Sequence, residues 1–317
     1  MAYKHGVYTS EVATSMVAPI TGTAGLQVIV GTAPVNMLKD PAAAVNVPLL
    51  VNSYKEAVEA VGYLPDFANY TLCECISTLI SVVGIAPMVL INVLDLAKHK
   101  VAITGGTVQV NDGVAVLEET GVLLEGLTVK SGSNTLTAGT DYTTTWNDDG
   151  TLNIVVLSTG AGKEATSLTV TGNKIDPSKV TAADIVGGVD SSTGKETGLE
   201  VVRQVYPKLS MTPGILLAPR FSKNAQVCAA LQAKCRKING LFNAACFIDL
   251  DCSADGAQKY TDVAEQKTKQ TATSREAYAL WLYVKVGETV YSGSSMAAAA
   301  TVYNDSQNGD RPVASPS

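Results

Sequence analysis

TLCECISTLISVVGIAPMVLINVL, residues 71–94, decides the fold class. Its first half sets Leu72, Cys75, Ile76, Leu79, Ile80 and Val83 at helical spacing, which predicts a helix over residues 71–83 with one apolar face. Gly84 then serves as a stop, because glycine adopts the left-handed conformation that closes a helix. Residues 88–94 form a nearly continuous apolar run, the pattern of a strand covered on both faces. A helix that passes through a glycine into a doubly buried strand is the repeating unit of an α/β protein.

The alternation extends outward from this stretch. Upstream, residues 26–30 and 49–51 read as short buried strands, and Ser53 with Glu56 has the spacing of a capping box, predicting a helix that runs to Gly62. Downstream, residues 215–218 read as a strand. Ser222 reads as the cap of a helix whose inner face is Val227, Leu231, Cys235 and Ile238, with Gly240 just past its end. Residues 244–250 and 278–286 read as further strands, and residues 296–303 as an Ala-rich helix. The fold class is therefore α/β, with a mixed, mainly parallel sheet flanked by helices.

Residues 97–206 differ in kind. They hold 15 of the 27 glycines and no cysteine, and their 8 basic and 13 acidic side chains carry −5 of the chain's net charge of −6. Short β-rich runs recur at 114–117, 122–129, 141–146, 152–157 and 167–171, and Asp149-Gly150 between two of them is a hairpin signal. This predicts a small antiparallel β-sandwich or barrel inserted into the α/β fold. The expected organisation is an extended N-terminal arm over 1–20, a discontinuous α/β core over 21–96 and 207–317, and an inserted β domain over 97–206.

Composition narrows the function classes. Charged residues make up 16% of the 317 against a usual value of about 25%, so the surface is weakly protected against self-association. A net charge of −6 argues against a nucleic-acid binder, which needs cations to neutralise phosphates. The one short basic cluster, Lys234, Arg236 and Lys237, falls where a helix should end and suits the helix dipole there. No apolar run approaches the ~20 residues that cross a bilayer, and the first residues lack the apolar core of a secretory signal, so direct membrane insertion is not expected and folding is expected in a cytosol. Cys73 and Cys75 point to different helical faces, whereas Cys228 and Cys235 share one, and Cys246 and Cys252 flank a strand. With only two histidines, these thiols read as small core residues, not zinc ligands.

Candidate chemistry is sparse. Gly188 to Glu196 approximates a phosphate loop, but its spacing is one residue too long and Glu196 stands where a hydroxyl should bind Mg²⁺. His5 and His99 have no nucleophile beside them and read as surface residues. Asp249 with Asp251 is a weak cation signal at a strand end, and Asp148 with Asp149 is explained by the hairpin turn. Trp146 and Trp281 read as packing residues. The residues thus predict no catalytic set, no metal site and no cofactor.

Several strings together resemble the contractile phage tail sheath family. They are His5-Gly6-Val7-Tyr8-Thr9-Ser10-Glu11-Val12, residues 25–34 (GLQVIVGTAP), residues 48–57 (PLLVNSYKEA), residues 213–219 (PGILLAP) with the helix after them, Gly139-Thr140-Asp141-Tyr142 with Asp149-Gly150, and the closing residues 311–316 (RPVASP). Together they span nearly the whole chain in the family's order.

The resemblance implies a non-enzymatic structural subunit of a helical sheath around a tail tube, built extended and then contracting to drive the tube through a bacterial envelope. It implies as partners other sheath copies, the tail tube protein, the baseplate and the tail terminator, and as location the virion tail sheath, assembled in the host bacterial cytoplasm. It also implies that Gly6, Val7, Tyr8, Glu11 and Val12 belong to an arm that adds a strand to a neighbouring subunit. The residues alone fit a disordered terminus equally well. Family members usually continue for roughly another hundred residues, about one domain, so the chain is expected to be a C-terminally truncated fragment. Two rival readings are a nucleotide- or metal-binding α/β enzyme and a carbohydrate-binding tail adhesin acting through the β insert.

Overall fold

The computed structural model describes residues 25–104 and 106–308. The first α/β stretch contains β1 (Gln27–Gly31), β2 (Leu49–Val51), α1 (Tyr54–Val61), α2 (Thr71–Ile76) and β3 (Met88–Asn92). The β-rich stretch follows with β4 (Lys100–Ala102), β5 (Gly106–Asn111), β6 (Val114–Leu117), β7 (Thr128–Ser131), β8 (Asn134–Leu136), β9 (Tyr142–Trp146), β10 (Leu152–Val156), β11 (Ser167–Thr171) and β12 (Asn173–Ile175). Next come α3 (Ala182–Val186), β13 (Gly188–Val189), β14 (Glu196–Thr197) and α4 (Val205–Leu209). The second α/β stretch is β15 (Ile215–Leu217), α5 (Ala225–Lys234), β16 (Ala245–Asp249), α6 (Val263–Lys269), β17 (Ala277–Leu280), β18 (Val284–Val286), β19 (Thr289–Tyr291) and α7 (Gly293–Gln307).

The α/β sheet has six strands in the order β17-β16-β15-β1-β3-β2. Every pair is parallel except β2 with β3. All five residues of β1 and of β3 are buried, which is why both read as mostly apolar runs with one polar residue each, Gln27 and Asn92. Helix α2, its π-helical continuation Ser77–Val83 and α7 form one covering layer. Helix α3, the 3-10 turns Gly198–Gln204 and α5 form the other. The mainly parallel α/β class read from the sequence is the one observed.

The β-rich stretch contains one antiparallel sheet of seven strands, β8-β7-β11-β5-β6-β10-β9. Strand β5 bends it: Gly106–Gln109 pair with β11 and Val110–Asn111 with β6. The sheet curls like a half-closed barrel around its own cluster, including Ala115, Val129, Leu152, Ile154, Leu168 and Val170. Ile175, Val180, Ile185 and Leu199 belong instead to the larger α/β core.

Local signals hold with some shifts. Ser53 Oγ accepts the Glu56 N–H at 3.2 Å, and Glu56 Oε2 accepts the Asn52 N–H at 2.9 Å, so the capping carboxylate reaches one residue further back than a standard box. Gly62 and Gly84 close their helices at φ +76° and +78°. Ser53→Ala should lower stability by about 1 kcal/mol, read from the urea midpoint; an unchanged midpoint would contradict the cap.

Other readings need correction. The cap of α5 is Asn224, whose side chain accepts the Gln226 N–H, because Ser222 is engaged with Asp249. That helix ends at Lys234, so Ile238 lies in a tight turn closed by Gly240. The expected strand 278–286 is split by a turn in which Leu282 takes φ +77°. Residues 122–127 form no strand beyond a single bridge from Val122 to Lys174.

Candidate intersubunit surface and the polar cluster behind it

The predicted arm residues Gly6, Val7, Tyr8, Glu11 and Val12, together with His5, lie outside the described residues. What the described residues offer a partner is concentrated after β16. Of the large apolar side chains left exposed, Tyr278, Leu282, Tyr283, Val284, Val286 and Val290 fall within thirteen residues. They sit on β17, which is an edge of the six-stranded sheet, on the turn after it, and on the β18–β19 hairpin. An edge strand beside an apolar patch is a template for association.

This patch is fixed to the core by a buried polar cluster. Glu74 of α2 is fully buried and accepts hydrogen bonds from Arg220 Nε (2.6 Å), Ser295 Oγ (2.9 Å) and the Ser292 N–H. Asp249, at the end of β16, accepts from the Ser294 N–H (2.8 Å), Ser294 Oγ (2.7 Å) and the Arg220 N–H (3.1 Å). Burial raises the Asp249 carboxyl above its ordinary value against the pull of these donors. Arg220 also lies 5.6 Å from the centre of the Tyr283 ring and donates to the Val290 carbonyl at 3.4 Å. One guanidinium thus ties β15, α2 and the hairpin together.

The cluster occupies the place where an α/β sheet would hold a nucleotide. Strand order reverses between β1 and β15, and a ligand would enter the crevice beyond their C-terminal ends. There, the Thr71 hydroxyl accepts the Thr32 N–H (3.3 Å), the Leu72 N–H donates to the Thr32 carbonyl (3.0 Å), and Arg220 spans to Glu74. The N-terminus of α7, an anion site by its dipole, takes the chain's own carboxylates.

The other sequence candidates resolve individually. Asp251 does not join Asp249: its N–H donates to Gln270 Oε1, and its carboxylate accepts the Ser253 N–H. Asp149 Oδ1 accepts from the Thr151 N–H and hydroxyl, as the turn requires. The phosphate-loop-like string is the turn between β13 and β14, where Asp190 is lowered to about 2 by hydrogen bonds from Ser192 and Thr193. Trp281 lies in the turn after β17, and its ring N–H donates to the Ala257 carbonyl at 2.8 Å.

His99 corrects the surface reading. It is buried, with Nδ1 accepting the Asp95 N–H (2.9 Å) and Nε2 3.5 Å from Asp184 Oδ2. It borders a cavity of about 540 Å³ with Lys98, Asp184 and Lys195. With Nδ1 accepting from Asp95, the ring N–H lies on Nε2, facing the Asp184 carboxylate. All six cysteines are free thiols and five are buried; burial pushes Cys73 up to about 12, away from reactive thiolate character. Among the described residues, no group of three or more His, Cys, Asp or Glu is placed to hold a metal ion, and no helix is long and apolar enough to cross a membrane.

The buried cluster had no spacing signal in the sequence, since Glu74, Arg220 and Ser292 are far apart along the chain. The exposed hairpin left one trace: valines and tyrosines interleaved with Lys285 and Glu288 in a stretch otherwise read as a single strand.

No family model matches the chain. It is 28% identical over 293 residues to the tail sheath protein of Burkholderia phage BcepMu, an alignment covering 90% of this chain. The chain spans 57% of that relative's length. The chain is thus similar to a phage tail sheath protein over most of its own length, at low identity.

Proposed function

We propose that the chain is a structural subunit of a contractile tail sheath, which surrounds a tail tube and contracts to drive it through a bacterial envelope. The observation that carries this reading is the similarity to a tail sheath protein over 90% of the chain. The exposed apolar edge at β17 to β19 supports it, because a subunit must present association surfaces that a free enzyme would cover. So does the polar cluster, which fills the nucleotide crevice with the chain's own side chains.

In this reading the partners are other sheath copies, the tail tube, the baseplate and the terminator, and the location is the virion tail, assembled in the host cytoplasm. The arm residues Gly6, Val7, Tyr8, Glu11 and Val12 join neighbours, the α/β core moves as a rigid body, and the β insert lies outside. No catalysis and no cofactor are involved: the extended state is metastable, and the contracted state buries more interface. The test is electron microscopy of the intact gene product. Hollow, sheath-like tubes are the expected result, and discrete particles at every concentration would reject the reading. Nucleotides and divalent cations should leave the melting temperature unchanged, whereas a rise would favour the enzyme alternative.

A further inference from the structure

Charge is divided unevenly between the two parts of the molecule. Residues 103–172 hold eight acidic and two basic side chains, which is the whole of the chain's net charge of −6. On this stretch Glu118, Leu124 and Glu125 are exposed, while Glu119 is taken by Lys174. The ridge is anchored beside the start of the α/β core, where Asn36 Nδ2 donates to the Val122 carbonyl (3.3 Å).

The opposite sign collects at the C-terminal end of α5. A hollow of about 340 Å³ there is lined by Glu200, Arg203, Lys234, Arg236 and Lys237, among others. Three cations are answered within the chain, Arg203 by Glu196, Lys234 by Glu200 and Arg236 by Glu276. Arg275 shares Glu276. Lys237, in the lining, and Lys208, near enough to Glu196 to help lower its carboxyl, are exposed and have no ion pair among the described residues, so the site keeps an excess of cations. Beside it, Leu241 is 75% exposed at the tip of the Ile238–Phe242 turn, and Tyr206 leans on Phe242 with ring centres 4.9 Å apart.

We propose that this basic hollow receives the acidic ridge at Glu118–Glu125 of a second copy of the chain, with Leu124 meeting Leu241 and Tyr206. The proposal rests on the reading of the chain as a sheath subunit whose partners are further copies, and it names one surface by which copies meet. Charge complementarity selects the occupant, since the ridge has the sign the hollow lacks and an exposed leucine to match an exposed leucine. The two patches are different surfaces, so the contact is heterologous; such contacts repeat from copy to copy and build a ring or a helical array instead of a closed pair. Exposed charges of this kind fix register and encounter more than they add affinity, so the contact should be salt-sensitive.

Sedimentation velocity on the 317-residue chain tests this. Association is expected at about 50 mM salt and should weaken about tenfold or more by about 500 mM. Lys208→Glu with Lys237→Glu should weaken it about tenfold at low salt, and so should Glu118→Lys with Glu125→Lys. Melting temperatures within about 2 °C of the parent would show that both variants fold. Mixing the two reversed chains should restore association, because each supplies the surface the other lacks. A parent that never associates, association indifferent to salt and to both reversals, or a mixture that fails to recover would each overturn the proposal. Unchanged tubes from a reversed intact gene product would reject this contact and leave the subunit reading in place; rescue by mixing without any tubes from the parent would do the opposite.

Discussion

Glu74→Ala should cost about 3–5 kcal/mol of folding stability, the usual loss when one partner of a buried ion pair is removed. The carboxylate is fully buried and receives Arg220, Ser295 and the Ser292 N–H. Without it, the guanidinium, whose side chain is 22% exposed, keeps only the Tyr283 ring and a long bond to the Val290 carbonyl. The Ser292 N–H at the entrance to α7 would lose its acceptor, and an unsatisfied buried donor adds its own desolvation penalty. Urea unfolding with an unchanged slope measures the effect. Combining Glu74→Ala with Arg220→Met should recover some of the loss, since the second change removes the stranded charge. A single-variant loss below about 1 kcal/mol would mean that the cluster does not hold α7 and the hairpin in place.

Gly31→Val should be the most damaging change to the α/β sheet, at about 3 kcal/mol or more. Gly31 ends β1 beneath the first turn of α2. A Cβ there would lie 2.2 Å from Thr71 Oγ1 and 3.3 Å from Leu72 Cδ2. Thr71 has little room to turn away, because its hydroxyl accepts the Thr32 N–H. The helix would have to lift from the strand and break the Leu72 N–H to Thr32 carbonyl bond of 3.0 Å. Amide exchange at Leu72 should rise sharply together with the loss of stability. A variant that melts within about 2 °C of the parent would show that the layer yields cheaply.

Much of the core was legible because burial writes itself into residue type. Residues 88–91 are covered on both faces and read as an apolar run. Gly62 and Gly84 stood out because helix ends need positive φ. The continuation of α2 as a π-helix was not legible, since Leu79 lies on the buried face in either geometry. The seven-stranded sheet was only partly legible: β6 reads as a short apolar run and β11 alternates, whereas β5 (GTVQVN) alternates with only two half-buried valines and was passed over. The polar cluster depends on residues brought together from 74, 220, 249 and 292–295, and no local pattern encodes such a meeting. His99 was misread for the same reason: its partner Asp184 is distant in sequence, and only the fold buries them together.

The position of Gly25 has a mechanical meaning. A Cβ at this first described residue would lie 3.2 Å from Asp305 Oδ2 and 3.4 Å from Val302 Cγ2, near the far end of α7. Helix α7 starts beside Asp249, at the C-terminal ends of the strands, and finishes at their N-terminal ends. Gly25 and the last turns of α7 therefore lie side by side at one corner of the core. A pull applied at Gly25 runs straight into β1, which lies between the parallel partners β15 and β3. Tension along that strand loads its flanking ladders in shear, so their hydrogen bonds share the strain together and do not unzip in succession. A load arriving at this corner would drag the core as a single stiff body before it could peel a strand away.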